Sequence, residues 1–347
     1  MSNFKSLFVG MLTMMVSVAV CAGAAIGSRE LNIAAPSGTR HLQARLWYPT
    51  QEASPTTVEG ENPVFYGITV IKDAAPEPGR HPLVLLSHGY RGSWRNLSWL
   101  AAALVQKGYI VAAPDHPGTT TFNVDPTEAA HIWERPHDLS RVINHLLQSS
   151  SVVGEIEPSR IAAIGHSLGG WTVMAAGGAR FSATQFLQDC QAGAISPIPC
   201  KLSAELGLDQ ASSTPLHANL RDPRIAAVVA LDLGGARGFT VESLATYPVP
   251  ALVLSAELNI NNLPAEAESG YLAAHLPKGS TQAIGVEGAT HFSFMQLCKP
   301  GAIELMEASD PGEGVVCQEH GSLDRLTLHQ RIANMVISFL QQHIPTR

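Results

Sequence analysis

The segment Ile161-Ala162-Ala163-Ile164-Gly165-His166-Ser167-Leu168-Gly169-Gly170 carries the chemistry most open to reading. An apolar, partly β-branched run feeds into Gly-x-Ser-x-Gly, and a helix-prone stretch over 171–176 follows. A serine on a sharp strand-to-helix turn projects its hydroxyl at the strand end, the arrangement of a nucleophile elbow. Gly165 and Gly169 leave room where a Cβ would clash in so tight a turn. The backbone N–H of Leu168 points toward the same space and can bind an oxyanion.

A serine hydroxyl is a weak nucleophile until a base takes its proton. Of the 14 histidines, His291 is the best placed. It follows an apolar strand over 281–286, in a glycine-containing loop ahead of the last helix. His320 and His329 fall later and read as lid or surface residues. The imidazole needs a carboxylate to fix its tautomer and support its charged form. Asp232 directly follows a strand over 226–231, and Glu257 follows the next strand, over 251–255. A charge leaving an apolar strand into a turn is costly without a partner. The order Ser…Asp/Glu…His holds for both, so strand order leaves the two open. A second glycine-flanked turn, Leu86-Ser87-His88-Gly89-Tyr90-Arg91-Gly92, also leaves a strand. His88 reads as a brace for that turn, and Asp115, at the end of a neighbouring strand, as a fastener of its loop. Trp94, Trp133, Trp171 and Phe292 are candidates for an apolar acyl pocket or for core packing.

The elements that must position these residues alternate. Short apolar strands over 83–86, 109–113, 161–164, 226–231, 251–255 and 281–286 alternate with helical patterns over 93–107, 135–147, 168–176 and 323–343. That alternation predicts an α/β fold: a mostly parallel central sheet with helices on both faces. Catalytic groups in such sheets gather beyond the carboxyl ends of the strands. Ahead of this core, strands over 31–34, 41–48 and 64–71 are expected, the second as a half-exposed antiparallel edge, with 49–63 as a loop. Two insertions stand out, over 181–223 and 299–321, and each is expected to form a lid or pocket wall.

The composition is that of an ordinary globular protein. Of 347 residues, 45% are apolar and 15% charged, and the formal net charge is −7. No basic run points to nucleic acid. Lys5, an apolar run over 7–20 and the small residues at 21–25 read as a signal peptide over 1–24, cleaved after Ala24, which implies an exported protein, periplasmic or secreted. Val20 is larger than a lipid-attachment signal at Cys21 accepts. Residues 25–347 then form one domain with no stable membrane span. Four cysteines remain, and the local pairs Cys190–Cys200 and Cys298–Cys317 each close a short loop, as an oxidising compartment permits. None has metal-ligand spacing, so neither a metal nor a cofactor is expected.

Three stretches together resemble a known family: Leu85-Leu86-Ser87-His88-Gly89, Gly108-Tyr109-Ile110-Val111-Ala112-Ala113-Pro114-Asp115-His116, and the elbow from Arg160 to Gly170. They look like the plasma-type platelet-activating factor acetylhydrolases and their bacterial dienelactone-hydrolase-like relatives, within the α/β-hydrolase superfamily. Arg135-Pro136-His137-Asp138-Leu139 is similar to those relatives as well. The resemblance spans roughly 83–291. It implies a serine esterase acting on short or oxidised acyl chains of a small-molecule or lipid ester, through Ser167, His291 and an acyl-enzyme. It also selects the acid, because Leu231-Asp232 matches the family's carboxylate position and Glu257 does not. α/β-Hydrolases present a second oxyanion donor from the turn after the first core strand, which points to the backbone N–H of Tyr90 beside that of Leu168. The two insertions depart from the family pattern and would rebuild its pocket. Polyester, lactone, dienelactone and thioester hydrolysis are the alternative activities, and a binding protein on a hydrolase scaffold is the alternative outside enzymes.

Overall fold

Ten segments extend and pair into a sheet in the computed structural model, which describes residues 25–35, 40–195, 197–210, 215–260 and 264–346. The expected leader over 1–24 lies outside these residues. The strands are β1 (Ala25–Ile33), β2 (Leu42–Thr50), β3 (Thr57–Glu59), β4 (Ile68–Lys72), β5 (Arg80–Ser87), β6 (Ile110–Asp115), β7 (Glu155–His166), β8 (Ile225–Leu231), β9 (Ala251–Ala256) and β10 (Thr281–Val286). Their order across the sheet is β10-β9-β8-β7-β5-β6-β2-β1-β4-β3. From β10 to β6 every pairing is parallel. Beyond β6 the sheet continues through antiparallel β2 and β1.

The parallel part forms because its strands are apolar on both faces. Alternate residues go to opposite cores: Leu83, Leu85, Ile161, Ala163 and Val228 to one, Val84, Leu86, Ala162, Ile164 and Val229 to the other. One face is covered by the helices Glu134–Gln148 and Leu168–Gly177, through residues such as Leu139, Ile143, Val173 and Met174. The other is covered by Ser98–Val105 and Arg325–His343, through Leu100, Leu104, Leu328 and Ile332. The expected α/β-hydrolase fold, with helices on both faces, is the fold observed.

The N-terminal part differs from expectation. β2 is antiparallel but lies inside the sheet, flanked by β6 and β1. Trp47 and Tyr48 are fully buried, Trp47 against Trp94 in the core on one face and Tyr48 in the core on the other. The edge falls instead on β3, a three-residue strand within the stretch expected to be loop. Its Glu59 is buried and accepts from Ser28 Oγ (2.7 Å) and Trp47 Nε1 (3.0 Å), with Arg45 Nη1 at 3.1 Å.

Both insertions are stapled by the local pairs expected: Cys190–Cys200 and Cys298–Cys317 are disulfides. The first insertion holds the helices Ala183–Gln191 and Pro197–Lys201. The second holds the helix Ala302–Ser309 and docks on the chain between β3 and β4, with Tyr66 N–H donating to Leu297 O (2.9 Å) and Lys299 Nζ 2.9 Å from Glu61. Among the described residues no helix is long and apolar enough to cross a membrane.

Burial has a consequence for acid stability. His116, His166 and His329 are buried, and loss of hydration lowers each to about 3. In the unfolded chain an imidazole protonates near 6.5. A depressed folded value means that the stability is present above about pH 6.5 and is lost as the pH falls toward 3. The thermal midpoint is therefore expected to be lower at pH 4.5 than at pH 7.5. His329 Nε2 donates to Met295 O at 2.8 Å, a bond that the amide of His329→Gln can replace without titrating. Calorimetry at both pH values should show a smaller drop for His329→Gln than for the wild type; an equal drop would refute the assignment to His329.

Candidate active site

Ser167 ends β7 and begins the helix Leu168–Gly177 with φ 56° and ψ −122°, a conformation that a residue with a Cβ rarely adopts. Its N–H donates to Leu231 O at 3.0 Å and its carbonyl accepts from Gly170 N–H at 2.9 Å. A Cβ on Gly165 would overlap the Gly169 carbonyl, and one on Gly169 would overlap the carbonyl of Ser87. Both glycines are thus required by space, as the tight turn implied. A Cβ on Gly89 would meet the Ser167 Cβ at 3.1 Å, so the turn after β5 packs directly on the elbow.

Asp232 leaves β8 with φ 42°. Its N–H donates to Leu254 O (2.7 Å) and its Oδ1 accepts from Ala256 N–H (2.8 Å). The other oxygen, Oδ2, lies 2.6 Å from His291 Nδ1. Glu257 turns elsewhere: its Oε2 accepts from Gly288 N–H at 2.7 Å and supports the histidine loop. That loop is held further by Thr290 N–H donating to Ser293 Oγ (2.8 Å), while Ser293 Oγ donates to Glu319 of the second insertion (2.5 Å). The second insertion therefore buttresses the loop from behind and does not wall the pocket described below.

One residue here escaped the sequence reading. His166, the variable residue before Ser167, donates from Nε2 to the backbone carbonyl of His291 at 2.9 Å, and the two rings are 4.6 Å apart. This bond fastens the histidine loop to the elbow. Burial, with His291 adding to it, holds His166 neutral. The type of residue at this position was the only available signal.

His88 and Asp115 brace their loops, as expected. His116 N–H donates to His88 Nε2 (3.0 Å), so the proton sits on Nδ1 and goes to Gly89 O (2.7 Å). Both ring nitrogens are thereby engaged within the loop. Asp115 Oδ1 accepts from Trp94 N–H at 2.6 Å, and burial raises its carboxyl to about 6. Among the described residues no backbone carbonyl accepts from Tyr90 N–H. The loop after β8 is held by Glu268, whose Oε2 accepts from Ala236 N–H at 2.7 Å; burial raises this carboxyl to about 8.

A pocket with about 540 Å³ of empty space opens beside Tyr90, Ser167 and Leu168. Trp171, Phe181 and the backbone of Gly234–Gly235 form its sides. The first insertion adds Phe186, Ile198, Pro199, Leu202, Leu206 and Leu208, and Ile132 completes the lining. Of the four aromatic candidates only Trp171 lines this pocket. Trp94 packs edge-on against Trp47, Trp133 packs by His131, and Phe292 packs edge-on against His291. The Tyr90 phenol donates to Glu205 of the insertion, and Arg91 lies 3.9 Å from the same carboxylate. The turn after β5 and the insertion are thus clasped together.

A serine elbow, an aspartate–imidazole pair after β8 and an apolar pocket on the carboxyl rim of a mostly parallel sheet define a hydrolase-type α/β protein. The chain belongs to the alpha/beta hydrolase family, whose model matches residues 83–298. It is similar to Cutinase 1 of Thermobifida cellulosilytica, at 30% identity over 96 residues, covering 27% of this chain and 33% of that protein. It is also similar to a bis(hydroxyethyl) terephthalate hydrolase of Streptomyces coelicolor, at 26% identity over 106 residues, covering 30% of this chain and 31% of that protein. The chain thus matches about a third of the length of these curated relatives. A ferulic acid esterase structure from Streptomyces cinnamoneus shares the fold, with a TM-score of 0.65 at 21% identity over 95% of this chain and 93% of that one.

The clasp makes its own prediction. A hydrogen bond to a charged group contributes about 1.5–3 kcal/mol, so its loss should open the insertion roughly tenfold more often. Tyr90→Phe keeps the main chain and removes only the phenol. Amide hydrogen exchange over 183–210 should accelerate in Tyr90→Phe while exchange in β7 and β8 stays unchanged; unchanged exchange over 183–210 would show that the clasp does not hold the insertion.

Proposed function

We propose that the protein is a serine carboxylic ester hydrolase that works through an acyl-enzyme. The observation that carries this reading is the 2.6 Å contact between Asp232 and His291 Nδ1, on a loop bonded to the residue preceding Ser167. Ser167 Oγ attacks the ester carbonyl carbon as His291 Nε2 takes the hydroxyl proton. Asp232 accepts from Nδ1–H, which leaves Nε2 free as the base and stabilises the imidazolium that forms. The N–H groups of Leu168 and Tyr90 hold the developing oxyanion. Collapse breaks the bond to the alcohol, which leaves with the proton from His291. Water then gives a proton to His291 and attacks the acyl carbon, and the acid departs as Ser167 recovers its hydrogen.

The pocket favours a compact, apolar acyl group, aromatic or short, over a long chain or a charged headgroup. Its walls are aliphatic and aromatic side chains with little to pair a charge. The terephthalate and ferulic acid in the names of two similar proteins are aromatic acids. These points weigh toward the polyester alternative and toward esters of aromatic acids, and away from a preference of the platelet-activating factor type. The two disulfides support an exported protein, with the leader removed after Ala24 and 25–347 as the mature hydrolase domain.

A fluorophosphonate is expected to label the wild type and not Ser167→Ala, which should also lose hydrolysis of a p-nitrophenyl ester. Absence of labelling in the wild type would leave a binding protein on a hydrolase scaffold. Asp232→Asn should lower kcat by about 10⁴ through the wrong tautomer of His291, and Glu257→Gln far less; the reverse ranking would mean that the carboxylate is misassigned. Across a p-nitrophenyl series, kcat/KM should be greater for acetyl and benzoyl than for palmitoyl. A preference for palmitoyl would sink the reading of the pocket.

A further inference from the structure

A fully buried cation lies behind the site, and among the described residues no carboxylate is hydrogen-bonded to it, Asp138 acting on it only through space. Arg135, in the first turn of the helix Glu134–Gln148, is 1% exposed. Its guanidinium donates to neutral oxygens: Nε to Thr172 Oγ1 (2.9 Å), Nη1 to Thr119 Oγ1 (2.6 Å), and Nη2 to Ser87 Oγ (3.3 Å) and His88 O (2.5 Å). Burying a charge in this way is costly, and a neutral donor could satisfy such oxygens without that cost. The retained charge therefore points to a task other than packing.

The arms of the guanidinium lead toward the two segments that carry the proposed oxyanion donors. Thr172 Oγ1, which accepts from Nε, donates its own proton to the carbonyl of Leu168 at 2.9 Å and so anchors the first turn of the elbow helix, while the peptide that carries Leu168 N–H is held through Ser167 O by Gly170 N–H. On the other side, Nη2 holds the carbonyl of His88, whose ring donates from Nδ1 to Gly89 O at 2.7 Å. Gly92 N–H donates to the same oxygen at 3.1 Å. That oxygen belongs to the peptide carrying Tyr90 N–H, and because a peptide is planar, fixing its oxygen fixes the direction of its N–H. Nη1 reaches Thr119, whose carbonyl accepts from Arg91 N–H at 2.9 Å.

We infer that Arg135 is a positioning residue, a fork that ties the turn carrying the Tyr90 N–H donor to the first turn of the elbow helix that begins at Leu168. The inference rests on the esterase reading of Ser167 given above. A neighbouring set, Ser87 Oγ–His116 Nε2 (2.9 Å) and His116 Nδ1–Asp138 Oδ2 (3.0 Å), has the composition of a second triad. Its imidazole and carboxylate are fully buried, and Asp138 is gripped by Arg40 Nε (3.0 Å) and Nη2 (2.7 Å). No substrate reaches it. It holds Ser87, an acceptor of Arg135, in place, and so belongs to the same brace.

Arg135→Lys keeps a charge but loses the fork, and Thr172→Val removes one acceptor at nearly constant shape. The expectation for both is a kcat ten- to a hundredfold lower per active site, counted by fluorophosphonate titration to completion, with KM within about threefold, since misaligned oxyanion donors weaken the transition state more than the ground state. The affinity for a boronic acid that mimics the tetrahedral intermediate should fall in parallel. An unchanged kcat per titrated site, or a rise in KM alone, would overturn the inference and leave Arg135 with a purely structural role. If Arg135→Lys does not fold, Thr172→Val carries the test. Failure of the underlying reading looks different: wild-type protein that takes no label at Ser167.

Discussion

The backbone contact between the elbow and the end of β5 sets the geometry of everything else at the site. Ser167 holds a φ of 56°, a strain of about 1–3 kcal/mol that surrounding structure must offset. The offset comes from the sheet itself: Ser167 N–H bonds to the last residue of β8, and Gly169 lies against the carbonyl of Ser87 with no space for a side chain. Because these contacts are main chain to main chain, they leave little freedom in the distance from the hydroxyl to the turn that carries Tyr90. The histidine and its aspartate are then brought to this fixed pair.

Local features were legible in the sequence, and lateral ones were not. Strands buried on both faces read as continuous apolar runs, so the five inner parallel strands stood out, while β10, at the edge and largely exposed, read as a strand by its position. β2 also read correctly as a strand with alternating exposure, yet nothing in its own residues tells that β1 would cover its open side. The three residues of β3 carry too short a pattern to separate from a loop. The choice of acid shows the same limit. Asp232 and Glu257 both leave apolar strands, but β8 pairs with β7 while β9 lies one strand further out. The nearer carboxylate meets the imidazole, and the farther one is left to hold Gly288 N–H. Arg135 opened a helix legible over 135–147, but its role was not, because no periodicity says that an arginine in a first helical turn will point inward.

The two insertions look alike in sequence, each long, cysteine-bearing and poor in regular pattern. Their points of departure from the core separate their roles. The first follows the elbow helix, so its apolar residues fold back over the mouth beside Ser167 and become pocket wall. The second follows the histidine loop on the far side, and its polar Glu319 bonds to Ser293 and to Arg325 Nε. In both, a disulfide limits the conformations open to the segment. Pocket shape and histidine placement are thereby assigned to separate parts of the chain, and a change in one need not disturb the other.

Charge is distributed around the site to the same end. His166 touches His291 through its backbone and sits 4.6 Å from its ring. A charged imidazole there would repel the positive charge that His291 acquires in the proposed mechanism. Full burial holds His166 neutral down to about 3, so it can fasten the loop without opposing proton transfer. The carboxylate of Asp232, bonded on one oxygen by Ala256 N–H, keeps the other for the imidazolium. The cation of Arg135 lies behind the proposed donors, where the mechanism proposed above has negative charge develop. On that proposal, positive charge is excluded beside the base and admitted behind the oxyanion.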